Sequence, residues 1–113
     1  MALYYYLPVY KTSYDLLLAI FQLSNNFSRE YKYTIGQDLK KISTEMILNI
    51  YRANSKIAKK EMIGKARENA EVIRLYVRLL KDLKQINIKK IVHLNELIES
   101  ISKQLSSWQN SSK

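Results

Sequence analysis

The sequence predicts an all-α protein that folds as one four-helix bundle. The chain has 113 residues, which is the size of a single domain. It contains only two glycines and one proline, so it lacks the turn residues that β-proteins need. Its apolar residues recur at intervals of three and four, the period of a helix with one buried face. The predicted order is an N-terminal arm, four helices and a polar tail, at about residues 1–7, 8–27, 34–53, 58–84, 87–108 and 109–113.

The first helix is predicted to begin at Pro8, because a proline in the first turn loses no hydrogen bond. Its apolar side chains point in nearly every direction at 100° per residue, and a helix that is apolar all round must be covered all round. We therefore expect a subunit interface formed by Tyr14, Leu17, Leu18 and Phe21. The alternative is a monomer whose N-terminal segment folds back over this face. Tyr4, Tyr5 and Tyr6 suit either arrangement, and we interpret them as an extended arm packed on a neighbour.

The second and third helices are amphipathic. Thr34 and Gln37 have the spacing of a capping box, which predicts that the second helix starts there. Its buried side is predicted to consist of Leu39, Ile42, Met46, Ile50 and Tyr51. The polar pair Asn54 and Ser55 breaks the pattern, and Gly64 weakens the start of the third helix. The third helix is predicted to bury Met62, Ala66, Ala70, Ile73, Val77 and Leu80.

The fourth helix has the most regular pattern. Asn87 is placed to cap its first turn. The apolar residues then follow alternating spacings of three and four, a narrow stripe suited to the packing of a left-handed bundle. That stripe consists of Ile91, Leu94, Ile98, Ile101, Leu105 and Trp108, and it is predicted to be core.

The charge of the chain is strongly basic and unevenly distributed. Nineteen Lys and Arg residues against ten Asp and Glu residues give a formal charge of +9. Residues 1–54 carry six basic and four acidic side chains, whereas residues 55–113 carry thirteen and six. On a helical projection, one set of basic residues of the third helix falls within about 60°, on a line away from the apolar face. This basic row consists of Lys60, Arg67, Arg74, Arg78 and Lys81, with Lys56, Lys59, Lys84, Lys89 and Lys90 as flanking charge.

Two interpretations of the basic row are open. A soluble helix can carry lysine and arginine for solubility alone. A binding surface for anions is favoured by the arginines, because a guanidinium group forms paired hydrogen bonds with phosphate or carboxylate. The composition does not separate a nucleic acid from an acidic protein as the partner. In a ring of subunits the row would repeat and its potential would add up.

Enzymatic activity is not expected. The chain has no cysteine, and His93 is its one histidine, so no zinc-ligand cluster and no Cys-His pair can be formed within one chain. We interpret His93 as a surface or boundary residue. The spacing of the three aspartates does not suggest an acid-base pair, and neither a phosphate-binding loop nor a dinucleotide fingerprint occurs. No cofactor and no metal are expected.

No targeting signal is evident. The start of the chain lacks a secretory signal pattern. The longest all-apolar run is the six residues from Leu16 to Phe21, far below the roughly 18 needed to span a bilayer. We therefore expect a soluble, cytoplasmic protein that interacts with neither membranes nor a small-molecule substrate.

Four segments of the chain resemble one family of four-helix-bundle proteins. These segments are LPVYKTSYDLLLAIF, FSREYKYTIGQDLKK, NIYRANSK and EVIRLYVRLLKDLKQI. The family includes the accessory variability determinant (Avd) of diversity-generating retroelements and the proteins encoded in bacterial 23S rRNA intervening sequences. The likeness runs from Leu7 to about Trp108. The retroelement branch is more similar, because Tyr51–Asn54 replaces the proline-containing sequence associated with the rRNA branch.

The resemblance implies an antiparallel up-down bundle that assembles into a homopentameric barrel with a basic surface. It further implies a non-enzymatic protein that binds nucleic acid, RNA or DNA, and a reverse transcriptase, and so assists mutagenic copying of a template RNA. The basic positions of the family's third helix match Arg67, Arg74 and Arg78. Two alternatives remain open: an adaptor that docks an acidic protein partner, and a protein associated with a 23S rRNA intervening sequence.

Overall fold

The structure, a computed structural model, describes residues 3–55 and 57–112, and its regular elements are helices throughout that part of the chain. Four of them are long. They are α1 (Pro8–Ser24), α3 (Ile35–Asn54), α4 (Lys59–Asp82) and α5 (Ile88–Ser111). A single-turn helix, α2 (Arg29–Lys32), lies in the connection between α1 and α3. The predicted all-α fold with four main helices is confirmed.

The long helices form a four-membered ring of neighbours. Helix α1 packs against α3 and α5, and α4 packs against the same two helices, so α1 and α4 lie diagonally across the bundle. Short connections between packed neighbours make the helices antiparallel. The bundle measures 43 × 23 × 20 Å. Its long dimension fits helices of 24 residues, which span about 36 Å at 1.5 Å per residue. None of the helices in the described residues is both long and apolar enough to cross a bilayer.

The core consists of the apolar stripes of the four long helices. The predicted stripe of α5 is buried except for Trp108, which is half-buried against the core. The buried residues of α4 are Ile63, Ala66, Ala70, Ile73, Val77 and Leu80. Met62 and Ile42 pack at the edge of the core. The prediction for Tyr51 is wrong: its side chain is 51% exposed, because it lies about 100° around α3 from the fully buried Ile50.

Four polar residues are buried with this core: Ser13, Ser24, Ser43 and Asn49. Asn49 of α3 is buried; its Nδ2 donates to Asn69 Oδ1 of α4 at 2.8 Å, and its Oδ1 accepts from Arg52 Nη1 at 3.1 Å. This network fixes the position of α3 along α4, since any sliding would leave buried polar groups without partners. Ser13 of α1 is also buried, and its hydroxyl has no hydrogen-bond partner among the described residues.

Two predicted helix caps have different outcomes. Asn87 caps α5 as predicted, because its Oδ1 accepts from the backbone N–H of Lys90 at 2.9 Å. The capping box at Thr34 and Gln37 is wrong. Thr34 directly precedes α3, but its hydroxyl donates to the carbonyl oxygen of Glu30 in the preceding turn at 2.6 Å. The single-turn helix α2 was not predicted from the sequence. Because the hydroxyl of Thr34 bonds to α2, it does not cap the first turn of α3.

The ends of α1 and α4 show how the chain leaves each helix. Helix α1 ends at Ser24, and Phe27 turns back into the core, where a Cβ atom on Gly36 would lie 3.4 Å from its ring. Helix α4 ends in a Schellman motif: Lys84 has a left-handed φ of 59°, and the N–H of Gln85 bonds to the carbonyl of Leu80 at 2.9 Å. A lysine thus occupies a position that usually favours glycine.

The segment before α1 is not the extended arm that was expected. Tyr4–Tyr6 form one turn of 3-10 helix that packs near α1 and α3. The side chains of Tyr5 and Tyr6 are exposed, with ring centroids 4.7 Å apart. The segment therefore leaves aromatic surface on the outside of the bundle.

Candidate anion-binding surface

The basic row lies along the edge of α4 that faces α5. Four of its members are exposed, and the fifth, Arg74, is half-buried. The row lies next to the core and not far from it. The arginines at 67 and 74 donate hydrogen bonds to polar side chains of α5. The neighbouring helix therefore decides what each cation can do, and the row has three distinct parts.

The first part of the row is organised by Gln109 of α5. Its Oε1 accepts from Arg67 Nη1 at 2.6 Å, and its Nε2 donates to the carbonyl oxygen of Lys60 at 3.1 Å. Gly64 permits this approach, since a Cβ atom there would lie 3.3 Å from Gln109 Nε2. Arg67 keeps its full charge, because its partner is a neutral amide. A groove of about 380 Å³ lies beside these side chains.

The central part is neutralised by carboxylates. Arg74 donates from Nε to Glu71 Oε2 at 3.0 Å, from Nη1 to Glu99 of α5, and from Nη2 to Ser102 Oγ at 3.1 Å. The bond to Arg74 lowers the pKa of Glu99, and the bond to Glu99 raises the pKa of Arg74. Two carboxylates face one guanidinium group, so this part of the row has no net positive charge to offer.

The last part of the row is open. Within residues 3–55 and 57–112, neither Arg78 nor Lys81 has a side-chain hydrogen bond or an ion pair. Both line a groove of about 510 Å³ between α4 and α5, whose lining also includes Arg74, Ile91, Asn95 and the carboxylates of Asp82 and Glu99. Two exposed cations above a concave surface can bind an oxyanion such as phosphate, and the amide of Asn95 can donate a further hydrogen bond.

The flanking lysines are scattered. Lys56 lies outside the described residues. Lys59 sits above the ring of Trp108, with Nζ 5.7 Å from the ring centroid, and Lys84 is exposed at the end of α4. Lys89 and Lys90 are exposed in the first turn of α5. These lysines add positive charge at both ends of the α4/α5 side.

The predicted interface residues of α1 leave an apolar surface on another side of the bundle. Tyr14, Leu18 and Phe21 are between 43% and 49% exposed, and Leu17 is half-buried. Leu48 of α3 lies beside Phe21, 45% exposed. Such a grouping of large apolar side chains is typical of a surface that another molecule covers.

The structure supplies four residues that sequence analysis did not connect with the row. They are Glu99, Ser102, Gln109 and Asn95, all on α5. Only their polarity at helical spacing is visible in the sequence. His93 is exposed as predicted. In the part of the chain that the structure describes, no group of three or more His, Cys, Asp or Glu residues could hold a metal ion.

Comparison with known families gives one match. The model of a family described as bAvd-like matches residues 8–112, all but the first seven residues and the last. The match spans the four long helices and the whole basic row. No curated protein matches the chain.

Proposed function

The chain belongs to the bAvd-like family and so has an Avd-type accessory role, and we propose that it acts as a non-enzymatic protein that binds nucleic acid and a reverse transcriptase. The observation that carries the proposal is the open end of the basic row. Arg78 and Lys81 are exposed, unpaired among the described residues, and placed over a groove of about 510 Å³. Phosphate groups of a nucleic-acid backbone are the anions that such a surface fits best.

The mode of binding is electrostatic. Arg67 and Lys60 provide a second cationic group near the start of α4, and the flanking lysines raise the potential at both ends of the row. The described aromatic side chains lie elsewhere than on the row, apart from Trp108 under Lys59, so few rings are available for base stacking. The protein therefore binds RNA or DNA with little preference for sequence.

The assembly we propose is a homopentamer, as the resemblance to the Avd family implies. The exposed apolar side chains of α1 support self-association, since the described part of the chain leaves Tyr14, Leu18 and Phe21 between 43% and 49% exposed. A ring repeats the basic row around one axis. The fields of the copies then add, which raises the rate and strength of encounter with a polyanion.

The role of the assembly is to bring template RNA or its cDNA to the reverse transcriptase. The chain itself contributes charge and shape, and catalysis belongs to the enzyme. Finding a reverse transcriptase with paired template and variable repeats beside the gene would support this role. Finding the gene within a 23S rRNA insertion would favour the rRNA-associated role instead.

The test compares two double variants in binding to a fluorescent 20-nucleotide single strand of mixed sequence, as RNA and as DNA. The variant R78Q/K81Q lacks the charges of Arg78 and Lys81. It should bind at least about tenfold more weakly, since two phosphate contacts are lost. The slope of log K against log salt should become shallower by about 1.4, at about 0.7 for each contact. Circular dichroism should show unchanged helicity.

The matched control, K11Q/K103Q, removes the same charge from exposed lysines of α1 and α5 outside the row. It should lower affinity slightly and leave the slope as in the wild type. Equal losses in both variants, or a wild type that shifts neither RNA nor DNA at low salt, would refute nucleic-acid binding by the row. In the second case, co-purification with an acidic protein would identify an adaptor.

A further inference from the structure

The outer face of α4, opposite the core, carries a pattern that the basic row does not explain. Val72, Leu75 and Leu79 are exposed there by 36%, 63% and 38%. At 100° per residue they share an arc of about 80° with Glu61, Glu68 and Asp82, and Lys65 and Arg78 lie at its two edges. The face is thus apolar in the middle and acidic at both ends.

A complementary surface lies between α1 and α3. It is a groove of about 610 Å³ lined by Phe21 and Leu48, with two lysines, Lys40 and Lys41, and one glutamate, Glu45. Lys40 Nζ lies 5.2 Å from the ring centroid of Phe21. Tyr14 and Leu18 continue the apolar surface along α1. We call this surface the α1/α3 groove.

The two surfaces cannot form one continuous patch. Helix α4 lies diagonally opposite α1 in the bundle, so its outer face and the α1/α3 groove point in different directions. A two-fold contact pairs a surface with itself. It would place the lysines of the groove near their own copies, or the acids of α4 near theirs, and like charges across an interface are unfavourable.

We infer that the outer face of α4 in one copy seats in the α1/α3 groove of the next copy. Leucine and valine side chains then meet Phe21 and Leu48, and one acidic end of the α4 face meets Lys40 and Lys41. This inference rests on the self-association proposed above and adds which surfaces meet. A head-to-tail contact of this kind closes into a ring when the rotation between copies allows it. The basic row is centred about 110° around α4 from the centre of this face, so Arg78 lies at the edge of the contact and the other members of the row stay uncovered.

The test uses one variant for each surface of the full chain. L75K/L79K breaks the α4 face and keeps the groove, and F21E/L48E breaks the groove and keeps the α4 face. Each new charge faces like charges across the proposed contact. Light scattering should show each variant alone at the monomer mass of 13.3 kDa. Mixed together, the two should form a one-to-one pair of twice that mass, because one intact contact remains and no further copy can add.

The control is I88K/V92K, which places lysines at exposed aliphatic positions of α5 outside both surfaces and should keep the wild-type mass. A monomeric wild type would refute the proposed self-association itself. If the wild type is an oligomer, two outcomes would refute the head-to-tail contact alone. One is that L75K/L79K remains an oligomer, and the other is that no pair forms on mixing. If circular dichroism shows that a lysine or glutamate variant is unfolded, L75Q/L79Q and F21Q/L48Q replace them with the same expected masses.

Discussion

Arg74 and Arg78 lie one helical turn apart on the same edge of α4, yet they differ in the charge that they offer. Arg74 has a side chain 35% exposed and donates to Glu71, Glu99 and Ser102. Arg78 is exposed and has no such partner among the described residues. The difference comes from α5, because Glu99 accepts from Arg74 and, among the described residues, makes no bond to Arg78, although both arginines line the same groove.

Formal charge and available charge are therefore different quantities along this edge of α4. The row contains five cationic residues. Carboxylates neutralise its centre, and its two ends remain positive. The ends are about 17 Å apart, measured along the helix axis from Arg67 to Arg78 at 1.5 Å per residue. A nucleic-acid strand that spans both ends must pass the carboxylates of Glu71 and Glu99, which repel phosphate.

Removing the difference between Arg74 and Arg78 should change nucleic-acid binding more than any other property. The substitution Glu99→Gln removes the α5 carboxylate and frees Nη1 of Arg74 for phosphate, while Nε still donates to Glu71. Affinity for the 20-nucleotide single strand should rise roughly threefold to fivefold, the range that a partly exposed pair allows. The slope of log K against log salt should become steeper by about 0.7, the contribution of one added phosphate contact on a single strand.

Glu96→Gln is the matched control, since Glu96 is also exposed on α5 and the change in charge is the same. It should raise affinity slightly through the overall potential and leave the slope unchanged. A steeper slope in both variants would mean that Arg74 is as available as Arg78 in the wild type. The reversal R74Q in the E99Q background should return the slope to its original value.

The second effect is on stability. Arg74→Gln leaves two carboxylates without their cation and should lower the free energy of unfolding by up to about 1 kcal/mol, since the pair is partly exposed to solvent. Arg78→Gln removes no side-chain hydrogen bond or ion pair among the described residues and should change the free energy of unfolding by less than about 0.5 kcal/mol. Urea unfolding followed by circular dichroism measures both. Equal losses would show that the carboxylates do not distinguish the two arginines.

Features fixed by local sequence could be predicted. The stripe of α5 and the Asn87 cap depend on residues within one or two turns, and both are as expected. The position of the basic row on one edge of α4 follows from helical geometry alone. Thr34 shows the limit of local patterns. Its hydroxyl could bond to the first turn of α3 or to the preceding turn, and it donates to the carbonyl oxygen of Glu30 in the preceding turn.

Features fixed by neighbouring helices could not be predicted. The contact between Arg74 and Glu99 joins residues 25 positions apart, and it depends on how far α5 is shifted along α4. That shift is set by the packing of all the core side chains together, which no single spacing reveals. Gln109 with Arg67 is a second case of the same kind, at 42 positions.

The smallest effect is the pH dependence of the difference between the two arginines. The pKa of Glu99 is lowered in the folded protein by its bond to Arg74, so the pair stabilises the fold above the unfolded-state pKa of about 4.3. That contribution is lost as the pH falls through the lowered folded-state pKa. The raised pKa of Arg74 adds no pH dependence in this range, because the guanidinium is charged throughout.

The gap in urea midpoint between R74Q and the wild type should therefore be constant from pH 7 to about 5 and shrink towards pH 3. In an E99Q background the gap should depend less on pH, because the carboxylate whose pKa Arg74 lowers is absent. A gap that stays constant down to pH 3 would show that Arg74 stabilises the protein by packing instead of by its bond to a carboxylate.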